Sequence, residues 1–363
     1  YEKQMHDEVF KGIEVKRYPS NKLEYKLSAL SYTLPFYRKM MSGKIAHFLA
    51  ANEIEIVHVH DMVIAEAVIE ANKVTKCPMV LDLHENRPEI MKTYPHLKEF
   101  PGNLLISTKT WKRKEGILVQ KADRTIVVTK EAKAELLDRL GIADHKVVVV
   151  PNTVKSSFYN DFSLDQTILE RYKDKFVILY LGDTGLRRGL LSAIEALGII
   201  AKEESIKTKI KLVIVGKNSS DKVLQRRVEE LGLQEMVDFE GWKDMALFPS
   251  YLKIADMGIS PLHRNLHHDT TYANKLFQYM SFAIPVLVSD ALAQKNLVEE
   301  VKSGLVHKEK DAAEIAEKIL ILFRDPDLSK MLGMNGKKFI EEKFCWEKVS
   351  GNLKELYLEF EKP

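Results

Sequence analysis

Short β-branched runs alternate with longer helical patterns along the whole of this chain, and the alternation starts twice. A parallel sheet built from βαβ units requires such a pattern, because each parallel neighbour is reached by a crossover that covers a sheet face. In the first half, residues 54–60 read as a strand ending at His60-Asp61, followed by an Ala-rich helix to about Lys73. Residues 78–83, 125–128 and 147–150 read as three further strands, the last closed by Pro151-Asn152. After residue 165 the pattern restarts, with strands expected at 176–181, 210–215, 237–239, 257–260 and 285–288. Helices are expected between them at 190–202, 222–231, 248–254 and 272–282. Two consecutive doubly wound halves result, an arrangement that suits a ligand cleft.

Three segments stand outside this regularity. Residues 86–116 have poor periodicity and several prolines, and read as an excursion or lid outside the core. The tail, from residue 312 onward, reads as amphipathic helix. Residues 1–20 offer one weak extended piece at 13–18, where a Rossmann half opens with an apolar strand and a Gly-rich turn. The expectation from that weak opening is that roughly one βα unit is missing upstream, and the chain begins with Tyr1 and not Met. The expected division is a first domain over residues 1–160, a second over 161–337, and a final helix within 338–363 packing back on the first.

With 363 residues the chain exceeds what one core ordinarily serves, so two domains are expected. Its 55 basic and 52 acidic side chains leave a net charge of +3, too little for a nucleic-acid partner, so any anion site must be local. Cys77 and Cys345 lie far apart with no metal-ligand spacing, as expected of small apolar residues in a reducing, cytoplasmic compartment. No run approaches the roughly 18 apolar residues that span a bilayer. The one membrane feature is Trp111 among Lys109, Lys112, Arg113 and Lys114, a mixture suited to peripheral contact at the inner face of a membrane.

Three pieces carry chemistry. In His268-Asp269-Thr270-Thr271-Tyr272-Ala273-Asn274-Lys275-Leu276-Phe277-Gln278, three N-capping residues precede a helical pattern, so a helix N-terminus receptive to phosphate is expected near Thr270 or Thr271. The turn Gly182-Asp183-Thr184-Gly185-Leu186-Arg187-Arg188-Gly189 follows a strand end, combining glycines that let the backbone approach an anion with two guanidinium forks. Val215-Gly216-Lys217 closes the next strand and brings an ammonium to the same edge. Candidate ligand-binding residues are therefore Gly182, Gly185, Arg187, Arg188, Lys217, Thr270, Thr271, Asn274, Lys275 and Gln278. Together they suit a nucleoside diphosphate leaving group, whose developing charge positioned cations stabilise. There is no Asp-x-Asp, no His-Glu-x-x-His and no Walker sequence, so neither a catalytic metal nor a cofactor is expected.

The order of these pieces resembles the family 4 glycosyltransferases. The likeness extends to Phe239-Glu240-Gly241-Trp242, Ala255-Asp256-Met257-Gly258-Ile259-Ser260-Pro261 and Pro285-Val286-Leu287-Val288-Ser289-Asp290, and in the first half to Asp82-Leu83-His84-Glu85 and Ala122-Asp123. It implies an α/β GT-B fold of two facing Rossmann-like domains with a cleft between them. It also implies transfer of a sugar from a nucleotide-diphosphate sugar to a saccharide or lipid-linked acceptor in polysaccharide or glycolipid assembly. The nucleotide sugar is then a substrate, the anomeric configuration is retained, and a phosphate oxygen takes the acceptor's proton. His84 would face the donor sugar, Arg188 would stand where the family has its diphosphate lysine, and Gln278 where the second of two glutamates holds the ribose. Departures are as plain: Asp183 stands at the family's diphosphate arginine and Thr270 at the first glutamate. Asp269 is expected to supply the missing carboxylate, which makes His84 and Asp269 the candidate catalytic residues.

Two other readings fit the same fold. A nucleotide-sugar 2-epimerase would need carboxylates and a histidine around the sugar for proton removal, and no convincing set is visible. A non-catalytic nucleotide-sugar-binding module would account for the unexpected residues Asp183, Thr270 and Gln278.

Overall fold

The computed structural model describes residues 5–94, 97, 99–100 and 102–361. Its contacts divide it into two compact units, Tyr1–Leu83 with Arg87–Thr125, and His84–Asn86 with Ile126–Pro363.

The first unit opens with an antiparallel hairpin, β1 (Asp7–Phe10) and β2 (Ile13–Lys16), with Asp7 opposite Lys16. The weak extended piece at 13–18 is thus one arm of a hairpin, its turn made by Lys11 and Gly12, both at positive φ. β3 (Val57–His60) and β4 (Met79–Leu83) run parallel, His60 facing Asp82, with the helix Met62–Ala71 as crossover. The expected excursion ends early, because Thr108–Lys121 is a regular 14-residue helix that buries Trp111 and Leu118. Trp111 is 2% exposed and packs edge-on against Tyr32 with ring centroids 4.7 Å apart. Lys112 pairs with Glu115 and Lys114 with Glu66. The aromatic proposed for membrane contact therefore points inward, and that expectation loses its apolar anchor. Among the described residues no helix is long and apolar enough to cross a membrane.

β5 (Arg124–Val127) and β6 (Val147–Val149) complete a sheet of order β3-β4-β5-β6. The second unit contains a larger sheet of β7 (Phe176–Leu181), β8 (Ile210–Val215), β9 (Val237–Gly241), β10 (Met257–Ser260), β11 (Val286–Ser289) and β12 (Gly304–His307). These six pair in the order β12-β11-β10-β7-β8-β9, every pairing parallel. Counted from β7, that order is 3-2-1-4-5-6, the doubly wound arrangement in which the strand order reverses between the first and fourth strands. Neither β12 nor the helix Leu292–Val301 before it is among the elements expected from the sequence.

Both faces of this sheet are covered, which is why its strands are apolar runs. Along β7, Ile178 and Tyr180 enter one core while Val177, Leu179 and Leu181 enter the other. The second core seats the helix Lys275–Ser281, whose Tyr279 lies against Gly258 where a Cβ would come within 2.2 Å of the ring. The Tyr279 hydroxyl accepts the Leu181 N–H at 2.9 Å, which pins this helix to the end of β7. The tail packs on the stretch after β6: Thr153 Oγ1 donates to the Phe344 carbonyl at 2.7 Å and Asn352 Nδ2 to that of Val149 at 3.0 Å.

Gly189 ends the turn after β7 with φ +80°, and a Cβ there would lie 1.7 Å from the Pro261 carbonyl oxygen. Gly189→Ala is expected to cost about 3 kcal/mol or more, through strain and displacement of the β10 end. Urea unfolding of the variant measures this; a loss under about 1 kcal/mol would mean the turn moves freely.

Candidate active site

At the switch between β7 and β10 the carboxyl ends of the strands open into a cavity of about 400 Å³, lined entirely by the second unit. β7 contributes Leu181 and, beyond its end, Gly182, Asp183 and Arg188; the stretch after β10 contributes Leu262, His267 and His268. Thr271, Asn274, Lys275 and Gln278 enter from around the pinned helix, with His84, Glu85 and Asn152 also lining the space.

The turn after β7 is organised by Asp183. Its carboxylate lies 3.4 Å from Arg188 Nε and 3.5 Å from Arg187 Nη2, and it accepts a hydrogen bond from Asn218 Nδ2. Burial pushes this carboxyl up, but the Asn218 bond and the two guanidinium groups prevail and hold it below its ordinary value. Asp183 therefore stays ionised and pairs with both arginines.

Lys275 is the unusual group. Its side chain is buried, its Nζ has no hydrogen-bond partner among the described residues, and it stands 3.3 Å from the centre of the Tyr180 ring. A ring face supplies about 2 kcal/mol to a desolvated cation, whereas removing an ammonium from water costs several. Burial, with Arg188 close by, drives the amine far below its ordinary value. A buried amine without a partner at the wall of a cavity can take up a proton when an anion approaches.

Two family descriptions match this chain. Glycosyl transferases group 1 covers residues 161–339 and Glycosyltransferase Family 4 covers residues 13–158. The chain belongs to the family 4, group 1 glycosyltransferases. It is 22% identical over 241 residues to the uncharacterized glycosyltransferase MJ1069 of Methanocaldococcus jannaschii, a match covering 66% of this chain and 59% of that protein. It is also 22% identical over 241 residues to the capsular polysaccharide biosynthesis glycosyltransferase CapM of Staphylococcus aureus, covering 65% of this chain and 61% of CapM. The chain thus matches about three fifths of these relatives' length. Anabaena Alr3699/HepE in complex with UDP is similar in structure at 15% identity, with a TM-score of 0.69 over 88% of this chain and 82% of that one. That likeness establishes the GT-B fold class, two Rossmann-like α/β domains in one chain.

Of the residues singled out from the sequence of this glycosyltransferase, His84, Gly182, Arg188, Thr271, Asn274, Lys275 and Gln278 meet at the cavity. Gly185, Arg187, Lys217, Asp269 and Thr270 do not line it. Lys217 is exposed beyond β8. Arg187 stands behind the wall, its Nη1 3.4 Å from His268 Nε2. Asp269 lines another hollow, pairing with Arg264 at 3.2 Å and accepting the Leu292 N–H at 2.8 Å. Thr270 is buried, and its carbonyl oxygen accepts the Thr129 hydroxyl at 2.7 Å.

The expected helix start at Thr270 or Thr271 is corrected by the same bonds. Both hydroxyls donate backward, to the Leu266 and His267 carbonyls at 2.6 and 2.7 Å, closing the short turn Leu266–Asp269. The next helix begins only at Lys275. Asn265, whose side chain accepts the His268 N–H at 2.9 Å, is the cap that could have been read from the sequence.

His267 and His268 were missed as site residues. His268 Nδ1 donates to the His263 carbonyl at 2.7 Å, so Nε2 is left as acceptor toward Arg187. Burial, then neighbouring positive charge, lowers His267 to about 3; burial and the two arginines outweigh the His263 bond and lower His268 to about 4. Both rings are neutral at pH 7. The unfolded chain protonates them below their ordinary 6.5 while the folded one resists, so stability is lost as pH falls from 6.5 toward 4. Each ring contributes up to about 1.4 kcal/mol per pH unit there. Urea unfolding at pH 7 and pH 5 is expected to show a smaller acid loss in His268→Gln than in the wild type.

Proposed function

We propose that this glycosyltransferase moves a sugar from a nucleoside-diphosphate sugar to a saccharide or lipid-linked acceptor, with retained configuration and no catalytic metal, in polysaccharide or glycolipid assembly. The observation that carries the reading is the buried, unpartnered Lys275 amine beside Arg188 at the switch-point cavity. The name of CapM and the UDP held by HepE support the substrate class.

In this reading the diphosphate lies against Gly182, Arg188 and Lys275, and Gln278 meets the ribose with a group that both donates and accepts. His84 faces the sugar. As the bond from the anomeric carbon to the diphosphate oxygen breaks, charge grows on the phosphate, where Arg188 and a Lys275 that becomes protonated stabilise it. The acceptor oxygen bonds to the anomeric carbon on the face just vacated, and its proton passes to the leaving phosphate oxygen. His84→Ala is expected to lower kcat by about 10²-fold, with donor affinity little changed, as for loss of a group acting at the reacting centre.

The test is a transfer reaction followed by NMR in EDTA with a panel of nucleotide sugars and saccharide or lipid-linked acceptors. Product with retained anomeric configuration supports the proposal. An inverted product, or a product that forms only when metal is added back, contradicts the retaining and metal-free parts respectively.

A further inference from the structure

On the first unit, two imidazoles and a carboxylate converge. His58 and His60 project from one face of β3, two residues apart, with rings stacked at 4.5 Å and 27°. Asp82 is opposite His60 on β4. Its Oδ2 lies 3.1 Å from His58 Nε2 and 3.2 Å from His60 Nδ1, and the three ligand atoms all fall within 4.8 Å of one another. Among the described residues this is the one group of three such side chains so disposed.

We propose that His58, His60 and Asp82 bind a divalent transition metal of the zinc class. A tetrahedral zinc with bonds of about 2.0–2.1 Å places neighbouring ligand atoms about 3.3 Å apart, close to the two nitrogen–oxygen separations observed. The ligand set is chemically apt, since imidazole and carboxylate suit zinc and three protein ligands leave a fourth position for water. The frame is fixed: all three residues sit in paired strands, and the Asp61 N–H donates to the Asp82 carbonyl at 2.9 Å. Asp61 turns the chain at φ +66° directly after His60 and caps the next helix through the Met62 N–H. An entry path exists, as the His60 side chain is 64% exposed while Asp82 is 9% exposed. The ion would tie the ends of β3 and β4 together. None of its ligands lines the cavity assigned to the donor, so the inference stands independently of the transferase reading.

The test uses the full chain, stripped with chelator and titrated with Zn²⁺ by calorimetry at pH 7.5. One Zn²⁺ per chain is expected. His60→Gln and Asp82→Asn should weaken binding by more than the about 10–100-fold that loss of a supporting partner costs, while the exposed His145→Gln leaves it unchanged. With Co²⁺ as probe, the wild type should show a visible tetrahedral spectrum, and His60→Cys should add a thiolate charge-transfer band. That band keeps the test decisive if Asp82→Asn fails to fold. Absence of saturable one-to-one binding overturns the proposal, as does equal affinity in wild type and His60→Gln, or a His60→Cys spectrum without the new band.

Discussion

Lys275→Met is expected to make the protein more stable and nearly inactive. Met keeps the volume and removes the buried nitrogen that lacks a partner, so unfolding should cost about 1–3 kcal/mol more than in the wild type. The same change deletes a charge donor at the leaving phosphate and should lower kcat/KM by about 10²–10³-fold. A merely structural lysine would not split the two readouts in this way. The pH dependence follows with a definite sign. Below its ordinary 10.5 the unfolded chain protonates Lys275 while the buried amine resists, so this group makes stability rise with pH toward 10.5, and Lys275→Met lacks that contribution. Donor binding runs the other way. An incoming diphosphate favours the ammonium, so binding takes up a proton and weakens as pH rises. Calorimetry in buffers of different ionisation enthalpy measures that proton uptake. A Lys275→Met variant that binds donor as the wild type does would remove Lys275 from the site.

The second large effect is expected at Arg188. Arg188→Gln should reduce kcat/KM by about 10²–10³-fold, because its guanidinium reaches the cavity and Asp183, on the same wall, pairs with it at 3.4 Å. Arg188→Lys should recover most of that loss, since the family resemblance places a lysine at this position. Arg187→Gln is expected to do less, as Arg187 reaches His268 and Asp183 but does not line the cavity. If Arg187→Gln is the more damaging of the two, the donor lies on the other side of the turn.

Much of the second half was legible because period and composition fix it. The runs at β7, β8 and β10 are uninterrupted apolar segments between glycines and charged residues, and they fold where they were read. β12 escaped because Gly304-Leu305-Val306-His307 is short and only half apolar, and is defined by pairing with β11. The opening hairpin escaped because its signal, Lys11-Gly12, is two residues long.

At the site the limit is different. Strand ends can be read, and Gly182, Arg188 and Lys275 were found from them. Which side chains then turn toward the cavity depends on hydrogen bonds between residues of the same short turn. Thr270 and Thr271 look like caps of the following helix, yet bond to the turn behind them. Asp269 looks like a spare carboxylate, yet caps Leu292 and pairs with Arg264. His267 and His268 look like surface polar residues between Asn265 and Asp269, and become cavity walls only because Asn265 folds that turn inward.

The proposed transfer depends on the switch-point cavity holding a nucleoside diphosphate on Arg188 and Lys275. Calorimetry with UDP, GDP, ADP and CDP in EDTA, on the wild type, Arg188→Gln and Lys275→Met, tests it most directly. Saturable one-to-one binding of at least one diphosphate is expected, weakened at least tenfold (about 1.4 kcal/mol) by each substitution. Binding that is indifferent to both substitutions, or no binding by any of the four nucleotides, would contradict it.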